Sequence, residues 1–169
     1  MNENAKLPLF IITGASGSGK STVVPHLREL LPDFDVFDID EELITNAVGD
    51  WQIVKNIWMR IASHIAKSKR MTILCGTQMP WEIEKCDDYK EFSQFYFLNL
   101  HCDDSVREKR LLERGWSNEL IVEHKIFAKW LIENADKEFD PPMVMIDTSH
   151  TSVNEVSLKV KDWVEKYVR

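Results

Sequence analysis

The stretch Gly14-Ala15-Ser16-Gly17-Ser18-Gly19-Lys20-Ser21 has residue types and spacing suited to holding phosphates. It fits G-x-x-x-x-G-K-[ST], in which a glycine-rich turn aims backbone N–H groups at phosphate oxygens. Glycine permits that turn because it adopts backbone angles that other residues avoid. A helix that follows adds its unpaired N–H groups and the positive end of its dipole. In such a loop Lys20 reaches the β- and γ-phosphates, the Ser21 hydroxyl ligates Mg²⁺, and Thr22 counts as a further nucleotide contact. The flanks agree with this reading. The apolar run Leu7 to Ile12 reads as a buried strand, and a helical pattern follows the loop. A glycine-rich turn without a ligand would not need Lys20 and Ser21 in this order.

A second group of residues follows the next strand candidate. Asp38-Ile39-Asp40 would carry two carboxylates on one side of an extended chain, because side chains in a strand repeat with period two. That brings two acids to the carboxyl edge of a sheet, where open α/β proteins bind ligands. One would hold Mg²⁺ through water, and the other would accept the proton of a substrate hydroxyl or hydrogen-bond it. Taken alone, the pair reads as solvated acids opening a helix that Glu41 and Glu42 continue; beside a phosphate loop the chemical reading is preferred. Farther on, Arg107, Arg110 and Arg114 lie at i, i+3 and i+7, along one face of a helix. Guanidinium forks suit the charge on a moving phosphoryl group. Arg107 reads equally well as part of a charged surface with Glu108 and Glu113.

Apolar runs and helical patterns alternate along the chain. Strands are predicted at Leu9–Thr13, Val36–Ile39, Thr72–Cys75, Phe95–Leu100 and Met143–Ile146, with helices between them. That order predicts an α/β fold with a parallel sheet covered on both faces. From Trp51 to Lys69, the residues Ile53, Ile57, Trp58, Ile61 and Ile65 fall on one helical face. Ser105 with Glu108 and Ser152 with Glu155 have capping-box spacing. Val153, Val156, Val160, Trp163, Val164 and Tyr167 mark a closing helix. Pro25 falls inside the helix after the loop and predicts a kink there. Pro141-Pro142 is expected to stop a helix before the last strand.

The 169 residues suffice for one domain, 1–169, with a full core. A formal charge of −7 argues against a general nucleic-acid binder. No apolar run approaches the roughly 20 residues that cross a bilayer, and Met1 to Lys6 carries no apolar leader segment. Cys75, Cys86 and Cys102 form no C-x-x-C pair and suggest a reducing, cytoplasmic setting. Cys75 and Cys102 lie in or beside apolar runs and are expected in the core.

On these residues the chain resembles the small P-loop kinases of the nucleoside monophosphate kinase-like group, with gluconate and shikimate kinases nearest and nucleotide and nucleoside kinases beside them. The loop matches as G-A-S-G-S-G-K-S. Phe37 to Asp40 is similar to the acidic pair after the second strand, so the resemblance gives Asp38 a share of Mg²⁺ and Asp40 the acceptor. Cys75-Gly76-Thr77-Gln78 resembles the substrate-facing loop after the third strand. Arg110 to Arg114, R-L-L-E-R, is similar to the R-L-x-x-R that opens a mobile lid, here about 110–130, with Arg110 near adenine and Arg114 near the phosphates. Ile146 to Ser149 looks like the loop bordering adenine. The family implies a three-layer P-loop NTPase fold, a five-stranded parallel sheet in the order 2-3-1-4-5, and transfer of the γ-phosphoryl group of Mg-ATP to a small-molecule acceptor. It departs from the family in having Gly76 without a full glycine triplet, a short lid that is not very basic, and no aspartate ending the third strand.

The acceptor pocket is expected to form from residues 40 to 62 and Gly76 to Glu82. Trp51, Trp58 and Trp81 fall there, and Arg60 and Lys55 are its main cations. A ring stack with Gln78 reading a base edge suits a nucleoside or nucleotide. Arg60 pairing a carboxylate suits a sugar acid, beside which a polyol stands as a related acceptor. Trp58 fits the apolar face and is expected in the core; Trp51 and Trp81 remain open between pocket and core. Two other classes stand beside the kinase: an ATP-binding regulatory domain without transfer, and a kinase of nucleic-acid ends. The acidic pair and lid argue against the first, and the net charge weighs against the second. Either a monomer or a homodimer is compatible with the sequence.

Overall fold

Period-two alternation of large apolar residues in the central strand gives the sheet two greasy faces. The strand β1 (Leu9–Thr13) is buried along its whole length. Phe10 and Ile12 point to one face, and Leu9 and Ile11 to the other. The computed structural model describes residues 5–40, 46 and 48–168. Glu41 and Glu42, expected to continue a helix, lie outside the described residues.

After β1 come α1 (Lys20–Leu30), β2 (Phe34–Asp38), α2 (Trp51–Lys67), β3 (Met71–Cys75) and the short α3 (Pro80–Ile83). The chain continues through β4 (Phe95–His101), α4 (Asp104–Glu113), α5 (Asn118–Glu133), β5 (Val144–Asp147) and α6 (Val153–Val168). The five strands are parallel and ordered β2-β3-β1-β4-β5, as the resemblance implied. Helices α1 and α6 cover one face with Val23, Val24, Leu27, Val160 and Trp163. Helix α2 and the chain around α3 cover the other with Val54, Trp58, Met59, Ala62 and Ile83. All three cysteines are buried, and burial raises each thiol pKa, that of Cys86 to about 11.

Local readings fared unevenly. The Ser152–Glu155 box forms, with Ser152 N–H donating to Glu155 at 3.1 Å and Glu155 N–H to the Ser152 hydroxyl at 3.3 Å. The Ser105–Glu108 box does not form: α4 begins at Asp104, and Glu108 instead pairs with Lys125. The stripe on α2 is Val54, Trp58, Met59 and Ala62, while Ile53 is 51% exposed. Asp50 caps that helix by accepting from Gln52 and Ile53 N–H. Pro25 lies within α1, as expected. Helix α5 ends at Glu133, well before the double proline. There the Asn134 side chain donates to the Trp130 carbonyl at 2.8 Å.

Candidate active site

The phosphate-type loop runs from the end of β1 to α1. Gly19, at φ +98°, is the N-cap of α1, and no side chain occupies the capping position. The first-turn N–H groups of that helix are thereby left to an external acceptor. Three successive carbonyls of the loop are held from behind. Buried Arg107 donates to Ser16 O, Arg110 to Gly17 O at 2.9 Å, and the Thr148 hydroxyl to Ser18 O at 2.8 Å. In a trans peptide the N–H points opposite to the carbonyl. Fixing these carbonyls therefore turns the N–H groups of Gly17, Ser18 and Gly19 the other way, which makes an anion-binding concavity. Ser18 N–H also reaches Ala15 O at 3.3 Å.

Lys20 is buried, and its Nζ donates to Gly14 O at 2.7 Å and to Ala15 O at 3.3 Å. Burial lowers its pKa; Asp40 and Asp38 oppose that shift, and Arg107 adds to it. The Ser18 hydroxyl is buried without a partner, turned toward Gly14 behind the cavity lining.

Beside the loop opens a cavity of about 1020 Å³. Ser16, Gly17, Gly19, Lys20 and Ser21 line one part of it, and Asp40, Asn46, Trp51, Lys55, Thr77 and Glu82 another. Arg114 at the C-cap of α4, Trp116 in the turn that follows and His124 on α5 also line it. Of the two acids, Asp40 reaches the cavity and Asp38 does not. Phe37 and Ile39 pack on the same face, so Asp38 and Asp40 alternate with them, and both acids act on Lys20. The Asp38 carboxylate accepts Asp40 N–H at 3.1 Å, and buried Ile39 donates its N–H to Cys75 O at 2.8 Å. Burial raises the Asp40 pKa, Lys20 and Lys55 pull it down, and Asp38 pushes it up.

Eight more expected site residues stand outside the cavity lining. Gly76 is not a wall of the cavity. At φ +154°, its added Cβ would sit 2.1 Å from Ile39, so the glycine lets the Asp40 segment approach β3. Gln78 is fully buried, its amide atoms without a partner, and its backbone exchanges bonds with the Thr13 hydroxyl at 3.1 and 3.2 Å. Arg60 is drawn to the surface by Asp88 at 2.9 Å and Asp87 at 3.0 Å. Arg110 is occupied by Gly17 O and the Thr148 carbonyl, the latter at 3.0 Å, outside the cavity lining. Thr22 is exposed beyond the lining, and Gly14, Ala15 and Ser18 lie buried behind it.

Trp51 lines the cavity, half exposed, whereas Trp81 packs edge-on against Trp130 at 5.8 Å. Trp58 is core, as expected, against Phe37. Lys55 is almost wholly buried and paired with Glu82, whose other oxygen accepts Met79 N–H at 2.8 Å. Among the described residues no cluster of three or more His, Cys, Asp or Glu groups is placed to hold a metal. Ser21 in the lining, with Asp38 close by, fits a magnesium ion held by one or two protein oxygens, with phosphate and water completing its shell.

A family described as an AAA domain matches residues 11–139, a span that runs from β1 through the loop, Asp40 and both arginines on α4. The chain belongs to that family. Among curated proteins none matches the sequence. Solved structures share this domain's fold at low identity. Shikimate kinase from Acinetobacter baumannii, in complex with shikimate, aligns at TM-score 0.62 and 16% identity, over 95% of this chain and 94% of that one. Thymidylate kinase from Candida albicans aligns at 0.62 and 14%, over 95% and 92%. A gluconokinase from Sinorhizobium meliloti 1021 aligns at 0.55 and 15%, over 94% and 97%. The AAA domain thus has the P-loop kinase fold that its motifs resemble.

Sequence reasoning missed several walls of the site in this domain. Thr77 had a signal, since it follows Gly76 in the loop after β3; its hydroxyl donates to Gly14 O at 2.9 Å. Glu82 closes the stretch Gly76 to Glu82 that was expected to form the pocket, and Trp116 and His124 fall within the expected lid without a role of their own. His124 is one polar residue on an amphipathic helix, yet its Nδ1 accepts Ser16 N–H at 3.2 Å, 108 residues away. Burial, with Lys20 and Arg107, lowers its pKa, so the ring is neutral and able to accept. Among the described residues no helix is long and apolar enough to cross a membrane.

Proposed function

We propose that this chain is an ATP-dependent phosphotransferase that moves the γ-phosphoryl group of Mg-ATP to a hydroxyl of a small molecule. One observation carries the reading. A single cavity joins the phosphate-type loop with its buried Lys20 to a wall bearing the Asp40 carboxylate. That pairing supplies what phosphoryl transfer asks of a protein: a cradle for the donor, positive charge beside it, and a base for the acceptor. A domain that only bound nucleotide would not need Asp40 within the same cavity.

In this reading the N–H groups of Gly17, Ser18 and Gly19 and the start of α1 bind the phosphates. Lys20 leaves the carbonyls of Gly14 and Ala15 and lies against the β- and γ-oxygens. Ser21, with Asp38 and Asp40 nearby, would hold magnesium, which would supply positive charge to the phosphates. Asp40 takes the proton from the attacking hydroxyl. Arg114 adds charge over the phosphoryl group from the end of α4, and residues 110–130 act as the lid that excludes water.

Lys20→Ala tests the assignment. Removing one preorganised contact to developing charge costs on the order of 10²–10³ in rate. Acceptor-stimulated ATP turnover is expected to fall by that factor in a variant that still folds by circular dichroism. Turnover within about threefold of the parent would remove Lys20 from the site, and the transfer reading with it.

A further inference from the structure

We propose that the acceptor carries no negative charge: it is a neutral or aminated hydroxyl compound, such as a polyol or a nucleoside, and neither a carboxylic acid nor a phosphate monoester. The inference rests on the kinase reading above and narrows its substrate.

The charges of the acceptor wall decide it. That wall consists of Asp40, Asn46, Trp51, Lys55, Thr77 and Glu82. Among the described residues of that wall Lys55 is the one base, and it is already committed. Its side chain is 7% exposed and bonded to Glu82, and Glu82 is fixed in turn by Met79 N–H at 2.8 Å. The pair cancels itself, and Asp40 remains as the net charge of the wall, with Lys20 of the loop as the cation that acts on it most. Arg60, the cation the sequence offered for a carboxylate, is held outside by Asp87 and Asp88. Lys20 is committed to the loop and its triphosphate. Arg114 and His124 belong to α4 and α5, the helices fastened to that loop by Arg107, Arg110 and the His124 ring.

An anionic acceptor would meet Asp40 and would have to draw Lys55 off Glu82, leaving a half-buried carboxylate without its partner. A hydroxyl compound meets complementary groups instead. Asp40 accepts its protons, the Asn46 amide and the Thr77 hydroxyl donate and accept, and Trp51 offers a ring face to a sugar or a base. An ammonium group on the compound would gain from Asp40 rather than suffer from it.

The full chain with Mg-ATP is offered matched pairs: glucitol and gluconate, adenosine and AMP, thymidine and TMP, with glucosamine as the aminated arm. Product is read by ³¹P NMR. Like-charge juxtaposition costs several kcal/mol, so the uncharged member of the productive pair is expected to be preferred in kcat/KM by on the order of 100-fold. Glu82→Gln keeps an acceptor for Met79 N–H but unpairs the charge of Lys55, and is expected to narrow that ratio by about tenfold. Preference for gluconate, AMP or TMP overturns the charge inference and leaves the kinase reading standing. An unchanged ratio in Glu82→Gln overturns the role given to the Lys55–Glu82 pair. Nucleotide binding with no product in any arm overturns the kinase reading, and the inference falls with it.

Discussion

Asp40 shows how one side chain can trade stability for chemistry. Burial favours its neutral form and lifts its pKa above the usual 3.8, against the pull of Lys20 and Lys55. The folded chain therefore holds this proton to higher pH than the unfolded chain does. Stability falls as pH rises from the unfolded value through the raised one, so the penalty grows over that range. Asp40→Asn is expected to raise Tm at pH 7 and to lose that advantage as pH falls toward 4. The same substitution removes the proposed base and is expected to lower transfer by about 10²–10⁴, with ATP affinity nearly unchanged. In the parent, transfer is expected to fade on acidification from a pH above the ordinary aspartate range, since the carboxylate is the working form. Melting curves from pH 4 to 8, set beside kcat and a nucleotide titration, check all of this. A variant that melts lower at pH 7 would show that Asp40 is a structural acid. Asp38, two residues earlier, binds the Asp40 N–H instead of lining the cavity, and Asp38→Asn is expected to spare transfer far more than Asp40→Asn does.

At the scale of elements, the loop takes its shape from its neighbours as much as from its glycines. Arg107 is 1% exposed and joins Ser16 O to Cys102 O, tying α4 to the loop and to the end of β4. Arg107→Ala would strip two carbonyls of their donor, at about 1–3 kcal/mol each when buried. A loss of about 3 kcal/mol, near 10 °C in Tm for a chain of this size, is expected together with weaker nucleotide binding. Calorimetric melting of the variant measures it, and a shift under about 2 °C would make Arg107 a spectator. The sequence could not rank this arginine, because its burial depends on a carbonyl 91 residues away. The elements themselves were legible where the signal is local: the apolar run of β1, the Gly-Lys-Ser turn, the Ser152 box. Legibility failed where tertiary contacts choose between near-equal options. Helix α2 turned Val54 and Met59 inward and Ile53 outward because the sheet and α3 set its rotation. Gln78 was expected in the pocket by its position after Gly76, yet the Thr13 hydroxyl pins its backbone and its side chain is fully buried, outside the cavity lining.

For the whole molecule, the question is which part yields when nucleotide enters. The sheet does not: β1 is fully buried between β3 and β4. Helix α5 is held far more lightly. It buries Ile121, Ala128 and Leu131, while Leu120, Val122, Ile126 and Ile132 are each close to half exposed or more. Its links across the cavity side are the Lys125–Glu108 pair and the His124 ring on Ser16 N–H. Few buried contacts and exposed apolar side chains place a segment at the low end of local stability. The His124 bond also sits on the loop that phosphates would contact, so an anion drawing on Ser16 N–H must compete with it. Nucleotide binding is therefore coupled to the seating of α5, which is how a lid over the donor would be triggered. Amide exchange is expected to be faster across 117–127 than in β1 by a factor of 10² or more, on the order of 3 kcal/mol in opening free energy. An unhydrolysable ATP analogue with Mg²⁺ is expected to slow it by about tenfold, and His124→Ala to speed exchange in the free chain while leaving that of β1 unchanged. Exchange in α5 that already equals β1, or that ignores the analogue, would make residues 110–130 part of the rigid body and would leave Arg114 exposed at the end of α4 with no closing motion to carry it.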